Sequence, residues 1–233
     1  ILEMGNIPYR SKDRKNHDMI LFAGGPCAFN PEPMAEIIDF FMLGESEESL
    51  PEVLEVFRAF KTDKITRLEF LEKVAMMDGI YVPALYNVEY NDDQTIKCFS
   101  PIDEKYPKVI KKRIIQDMDN VFYPEKILVP YTDVIHDRAV IEVLRGCTRG
   151  CRFCQAGMIY RPIREKSSNV IVETAKKVVA ATGFEEIGLS SLSTLDHTGI
   201  DETIRELISF YEEKKVGVSL PSLRLDDLNL DVL

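Results

Sequence analysis

The sequence predicts an α/β fold, and three observations predict it. Short apolar runs, such as residues 19–23 and 139–144, have the length and the β-branched or aromatic content of buried strands. Between such runs lie segments of helical period that start at capping residues and stop at glycine, as from Ser168 to Gly183. Loops rich in glycine or polar residues follow the strands directly, Gly24-Gly25-Pro26 after the first and residues 145–154 after a later one. Strand, helix and strand in alternation describe a parallel sheet crossed by helices.

A chain of 233 residues, 45% hydrophobic, is long enough to bury a sizeable core and spans one large domain or two small ones. Its net charge of −10 opposes general attraction to phosphate backbones, so nucleic acid is a possible partner that nothing indicates. No apolar run approaches the length needed to cross a bilayer and no basic, then apolar leader opens the sequence, so the reading is soluble and cytoplasmic. The first residue is Ile1, so a segment upstream is expected to be missing. After the cysteines there is room for about three strands, so a barrel would be unfinished.

In chain order, residues 1–18 read as a helix end and a charged loop, and residues 19–23 as a strand ending at Gly24-Gly25-Pro26. Asn30 and Pro31 have the chemistry of an N-cap and first helical position, and residues 40–43 read as an adjacent parallel strand. Ser49 with Glu52, and Thr66 with Glu69, form two capping-box patterns. Each precedes an apolar stripe: Leu50, Val53, Leu54 and Phe57, then Phe70, Leu71 and Val74. Residues 85–90 and 95–99 flank a polar turn as a hairpin, with Cys98 packed inside it. Prolines 101, 107, 124 and 130 then mark a connector. The predicted division is 1–62 as the end of a doubly wound sheet, 63–130 as a helical and hairpin connector, and 131–233 as βα units. In the last segment the strands are 139–144, 186–191 and 216–219, with helices from Ser168 or Asn169 through Val179 and from Asp201 to Lys215.

Three of the five cysteines, Cys147, Cys151 and Cys154, lie within eight residues at the spacing CxxxCxxC, on the loop after the 139–144 strand. Three thiolates on one loop can bind three irons of a cubane and leave the fourth open to another ligand. A zinc knot is the rival. It needs a fourth ligand from Cys27, Cys98 or one of only three histidines, and none stands at a paired spacing. An odd cysteine count without a leader argues against disulfides.

The motif, with Phe153 before its third cysteine, resembles the loop of the radical S-adenosylmethionine superfamily. That resemblance implies a 4Fe-4S cluster on Cys147, Cys151 and Cys154, S-adenosylmethionine on the open iron, and reductive cleavage to a 5′-deoxyadenosyl radical. It also implies that residues 131–233 form the first three βα units of a partial TIM-like barrel, with the cofactors at the C-terminal ends of the strands. Phe153, Ser190, Ser191, Ser193, Ser222 and Arg224 are then the candidate S-adenosylmethionine contacts, Arg224 for the carboxylate. The second strand end carries Ser190-Ser191 where the superfamily has a Gly-Gly-Glu-like segment, so no glutamate is present for the methionine amino group.

The order of the GGP loop, the NPEP segment and DFFMLGE resembles the end of the cobalamin-binding domain in one branch of the superfamily, with Gly24 and Gly25 facing the ligand. It departs from the branch at Ser46, where relatives carry Gly, and in lacking a DxHxxG segment. This branch implies cobalamin-dependent methyl transfer to an unactivated carbon, with flavodoxin or ferredoxin as reductant. The alternatives are a methylthiotransferase-like modification of RNA or protein, pointed to by Arg161-Pro162 and Arg164, and a zinc-stabilised binding module without catalysis.

Overall fold

The computed structural model describes residues 1–132 and 134–224. The chain forms two compact units, divided between Ile115 and Gln116. Both early helices and the hairpin share one apolar core with the first strands. Val53, Phe60, Phe70, Val74, Tyr81, Tyr86 and Tyr106 all belong to that core.

In the first unit, β1 (Phe22–Ala23) pairs parallel with β2 (Phe40–Met42) at Phe22↔Phe40 and Ala23↔Phe41, as the apolar runs predict. The helix expected after Asn30 is absent. A single 3-10 turn, Glu32–Met34, takes its place, following an earlier one at Pro26–Phe29, since Pro31 and Pro33 remove donors and restrict the residues before them. Then come α1 (Ser46–Lys61) and α2 (Arg67–Ala75), with Thr66 and Glu69 closing the capping box reciprocally. Ser49 caps nothing: α1 begins three residues earlier, the Ser49 hydroxyl donates to Glu45 O at 3.1 Å, and Glu52 accepts from Arg113 Nη2 at 2.8 Å. In α1 the buried stripe runs through Val53 and Phe60, and Leu54 is exposed.

Strand β3 (Ile80–Tyr81) runs antiparallel to β2, so this three-stranded sheet is mixed. The hairpin of β4 (Tyr86–Tyr90) and β5 (Ile96–Pro101) forms where expected, but Cys98 is exposed on its outer face. Residue 113 crosses Gly44 in a backbone bridge, and Gly44 sits at φ +105, where any side chain would run into the Arg113 backbone.

A buried ion network fixes the entry to this sheet. The Asp39 carboxylate, fully buried, accepts from Arg14 Nη1 at 2.9 Å, Arg67 Nη2 at 2.6 Å and the Leu21 amide at 2.7 Å, and from the Ser11 hydroxyl. Arg14 also donates to Pro8 O and Tyr9 O, and Arg67 to Asp18 O.

In the second unit, β6 (Ala139–Glu142) continues through a break at Val143 into β7 (Leu144–Arg145). Then follow α3 (Ala156–Ile159), β8 (Arg164–Glu165), α4 (Ser168–Thr182), β9 (Glu186–Ser190), α5 (Ile200–Tyr211) and β10 (Gly217–Ser219). β6, β9 and β10 form a parallel sheet in the order β10-β9-β6, with Ala139↔Ile187 and Val218↔Ile187 setting the register. Ala139, Ile141, Ile187 and Leu189 are fully buried with Ile171 and Ala175 of α4 and Leu207 of α5, whereas Val140 is exposed. Helix α4 is capped by the Ser167 hydroxyl and ends at Gly183 in the left-handed conformation. Gly199 rather than Asp201 is the N-cap of α5, and Asp201 lies in the first turn, where its charge complements the helix dipole. Helix α5 stops at Tyr211, short of Lys215. No helix among the described residues is long and apolar enough to cross a membrane.

Removing one member of a buried ion network leaves the others charged and unpaired, which costs about 3–5 kcal/mol. We therefore expect Asp39→Ala to lower the stability of the first unit by about that amount in urea unfolding.

Candidate metal centre

Because β6, β9 and β10 are parallel, the loops that follow them emerge on one edge of the sheet. The loop after β6 carries the three cysteines. It leaves and returns through a two-rung antiparallel ladder, Leu144↔Glu165 and Arg145↔Arg164, so residues 146–163 form a closed excursion. Gly146, at φ +92, makes the closure possible: a Cβ there would lie 2.5 Å from Pro162 O and 2.8 Å from Tyr160 O. Arg161 Nε donates to Cys147 O at 3.2 Å, and the Cys154 amide donates to Cys151 O at 2.9 Å. Arg164 is buried and donates to Pro162 O at 3.1 Å and Tyr160 O at 3.3 Å. These two arginines, which in the sequence pointed to modification of RNA or protein, hold the return of the loop.

All five cysteines are free of disulfides, Cys151 exposed and Cys147 and Cys154 half-buried. Residues 146–155 contain no helix or strand, so the segment that carries the thiols has no ladder of its own. Among the described residues no three His, Cys, Asp or Glu side chains converge to hold a single metal ion. The donor set fits an iron-sulfur cluster, whose cysteine ligands each bind a different iron and so need not converge on one point. Phe153 is 93% exposed and packs under nothing.

The loop after β9 supplies the serines. Ser190 O accepts from the Val143 amide at 3.0 Å, and the Ser191 hydroxyl meets that of Thr194 at 2.9 Å. Ser193 is buried and precedes a 3-10 turn, Thr194–Asp196. After β10, Ser222 is exposed at φ +62 and Arg224 is half-buried. The topology thus places Ser190, Ser191, Ser193, Ser222 and Arg224 along the edge that bears Cys147.

Three residues that sequence reasoning passed over hold this edge together. Arg149, between the first two cysteines, forks onto Asp196: its Nε lies 3.1 and 3.0 Å from the two carboxylate oxygens, and its Nη2 also bonds Oδ1. The Thr194 hydroxyl donates to Pro221 O at 2.7 Å. Hydrogen bonds from Arg149 hold the Asp196 carboxyl below the usual carboxylate range against the effect of burial, and the Ser193 hydroxyl and the Arg224 charge act in the same direction. The pair therefore contributes fully above the ordinary carboxylate range and is lost as pH falls through the depressed folded value. The signal in the sequence was an arginine inside a metal-binding motif, a charge that needs a partner.

Gly24 and Gly25 lie in the first unit, at the end of β1. A Cβ on Gly24 would sit 3.6 Å from Met42 O, and Gly25, at φ +83, borders open space. A cavity of about 870 Å³ in the same unit is lined by Lys15, Ile37, Tyr81, Pro83 and Tyr90. Lys15 and Ile37 precede β1 and β2, Tyr81 is the last residue of the antiparallel β3, and Pro83 and Tyr90 follow it, so the cavity lies at the opposite end of the sheet from Gly24 and Gly25.

The second unit is thus an α/β unit with a three-cysteine loop at the C-terminal edge of a parallel sheet, and comparison with known proteins identifies the family. Residues 141–233 match the family model described as Radical SAM superfamily, and residues 1–83 the one described as Radical SAM proteins, N-terminal. The chain belongs to the radical SAM superfamily. It is 28% identical over 222 residues to an uncharacterized protein of Methanocaldococcus jannaschii, covering 94% of this chain and 41% of that one. The chain thus spans about two fifths of the length of this relative. Among solved structures it is similar to the radical S-adenosylmethionine methyltransferase TsrM from Kitasatospora setae, with cobalamin and a 4Fe-4S cluster bound. The TM-score is 0.43 at 13% identity, over 82% of this chain and 34% of that one, a likeness too low to carry an argument.

Replacing any one of Cys147, Cys151 or Cys154 by Ala should abolish cluster uptake, and Cys27→Ala and Cys98→Ala should leave it intact. Iron and sulfide content after anaerobic reconstitution checks this. Loss of iron in the Cys98 variant as complete as in the Cys151 variant would refute the three-cysteine site.

Proposed function

We propose that this chain holds a 4Fe-4S cluster on Cys147, Cys151 and Cys154 and binds S-adenosylmethionine beside it, in an enzyme that methylates an unactivated carbon with cobalamin. The observation that carries the first part is three unpaired thiols on one loop, at the C-terminal edge of a parallel sheet in a radical SAM chain. When bound, the cluster and S-adenosylmethionine supply reductive formation of a 5′-deoxyadenosyl radical, with the electron from a flavodoxin or ferredoxin.

The chain's own residues bind and orient. The exposed Phe153 segment offers backbone groups toward adenine, and the backbone of Ser190 and Ser191 lines the neighbouring strand end. Ser193 acts from beneath, being buried, whereas Ser222 lies exposed on the same edge. Arg224 would fork onto the methionine carboxylate, in the geometry a guanidinium favours. For cobalamin the support is the parallel β1–β2 pair with open space at Gly25 beyond it. RNA modification loses its sequence support, since Arg161 and Arg164 donate to carbonyls of their own loop.

Anaerobic reconstitution of the full-length protein with dithionite and S-adenosylmethionine should yield 5′-deoxyadenosine and, with cobalamin present, a methylated product. Deoxyadenosine without corrinoid absorbance in the purified protein would remove the methyltransferase part and leave other radical chemistry. Colourless protein with stoichiometric zinc after anaerobic preparation would remove both.

A further inference from the structure

We propose that Asp196 is a positioning residue that seats the cysteine loop on the sheet edge by gripping Arg149, an inference that rests, for its electrochemical consequence, on the cluster reading above. Arg149 stands two residues from both Cys147 and Cys151, in a stretch with no secondary structure. Its guanidinium reaches both oxygens of Asp196, a fork that lysine cannot reproduce.

The two ends of the pair differ in firmness. The Asp196 side chain is 11% exposed and that of Arg149 34%. Asp196 closes a turn whose Thr194 is fully buried and bonded to Pro221 O. The next residue, His197, is locked on both sides: Nδ1 accepts from the Gly199 amide at 3.0 Å, which leaves Nε2 to donate to Lys166 O at 2.7 Å. The carboxylate is thus mounted on the sheet, and the guanidinium is the arm by which a loop without its own ladder is held. The same carboxylate offsets a cation placed beside the thiolates. Cluster potentials respond to nearby charge, and an uncompensated cation makes reduction easier.

Hydrogen exchange of the metal-free chain tests the seating. In Asp196→Asn the Cys154 amide, hydrogen-bonded to Cys151 O, should exchange about fivefold faster, the size of an ion-pair contribution, with protection of β9 unchanged. The reversed pair, Arg149→Asp with Asp196→Arg, should slow it again. Unchanged loop exchange with β9 still protected would overturn the proposal. Should Asp196→Asn unfold the unit, Arg149→Lys replaces it, with the same acceleration expected and the same null result decisive. On cluster-loaded protein, Asp196→Asn should move the midpoint potential positive, and an unmoved potential would overturn the charge-compensating role. Failure of the unmutated chain to take up any cluster would sink the cluster reading and leave the exchange result standing by itself.

Discussion

Parallel pairing of β6, β9 and β10 is the constraint on which the second unit depends. Parallel strands cannot be joined by tight turns; each connection must cross back over the sheet, here through α4 and α5. Every strand therefore ends on the same edge, and segments far apart in sequence arrive there together: the cysteines from one loop, Asp196 from a second, Pro221 and Arg224 from a third. The core holds this arrangement in register. A slip of one residue would turn Ile141 and Leu189 out of the contact with α4 and α5 and bring Val140 in.

The sheet edge itself is assembled from a few directional contacts. Gly146 lets the chain turn back tightly, Arg161 and Arg164 tie the return to carbonyl oxygens, and Arg149 ties the far side to a neighbouring turn. Each donor is a guanidinium, whose planar fork loses little freedom per bond formed. The thiols are left with no role in holding their own loop.

Much of this was legible in the sequence, where local chemistry decides the outcome. The parallel pair of β1 and β2, the Thr66–Glu69 box, the stop at Gly183 and the β9 strand follow from runs of a few residues. The errors fall where a distant partner decides. Ser49 lost its capping role because α1 already begins at Ser46, where the Glu45 amide donates to the distant Arg113 O, and Cys98 faces outward because only one side of the hairpin has a core to meet. The run of residues 19–23 read as a buried strand, yet Met19 and Phe22 are exposed. At the candidate metal centre the three candidate cysteines were evident from spacing alone. Asp196 was not, since its importance lies in an arginine 47 positions away.

The Asp39 network has a consequence for where the first unit can be divided. A strand-by-strand view would begin the unit at β1 and treat the residues before it as a leader. Arg14, however, delivers its charge into the interior from outside any regular element, and with Pro8 O and Tyr9 O as its other acceptors it draws that segment in after it. The stretch from Pro8 to Arg14 is thus an integral strut of the unit. A boundary drawn at the first strand would strip one counter-ion from a carboxylate that water cannot reach. Residues ahead of the first strand here belong to the same cooperative transition as the sheet they precede.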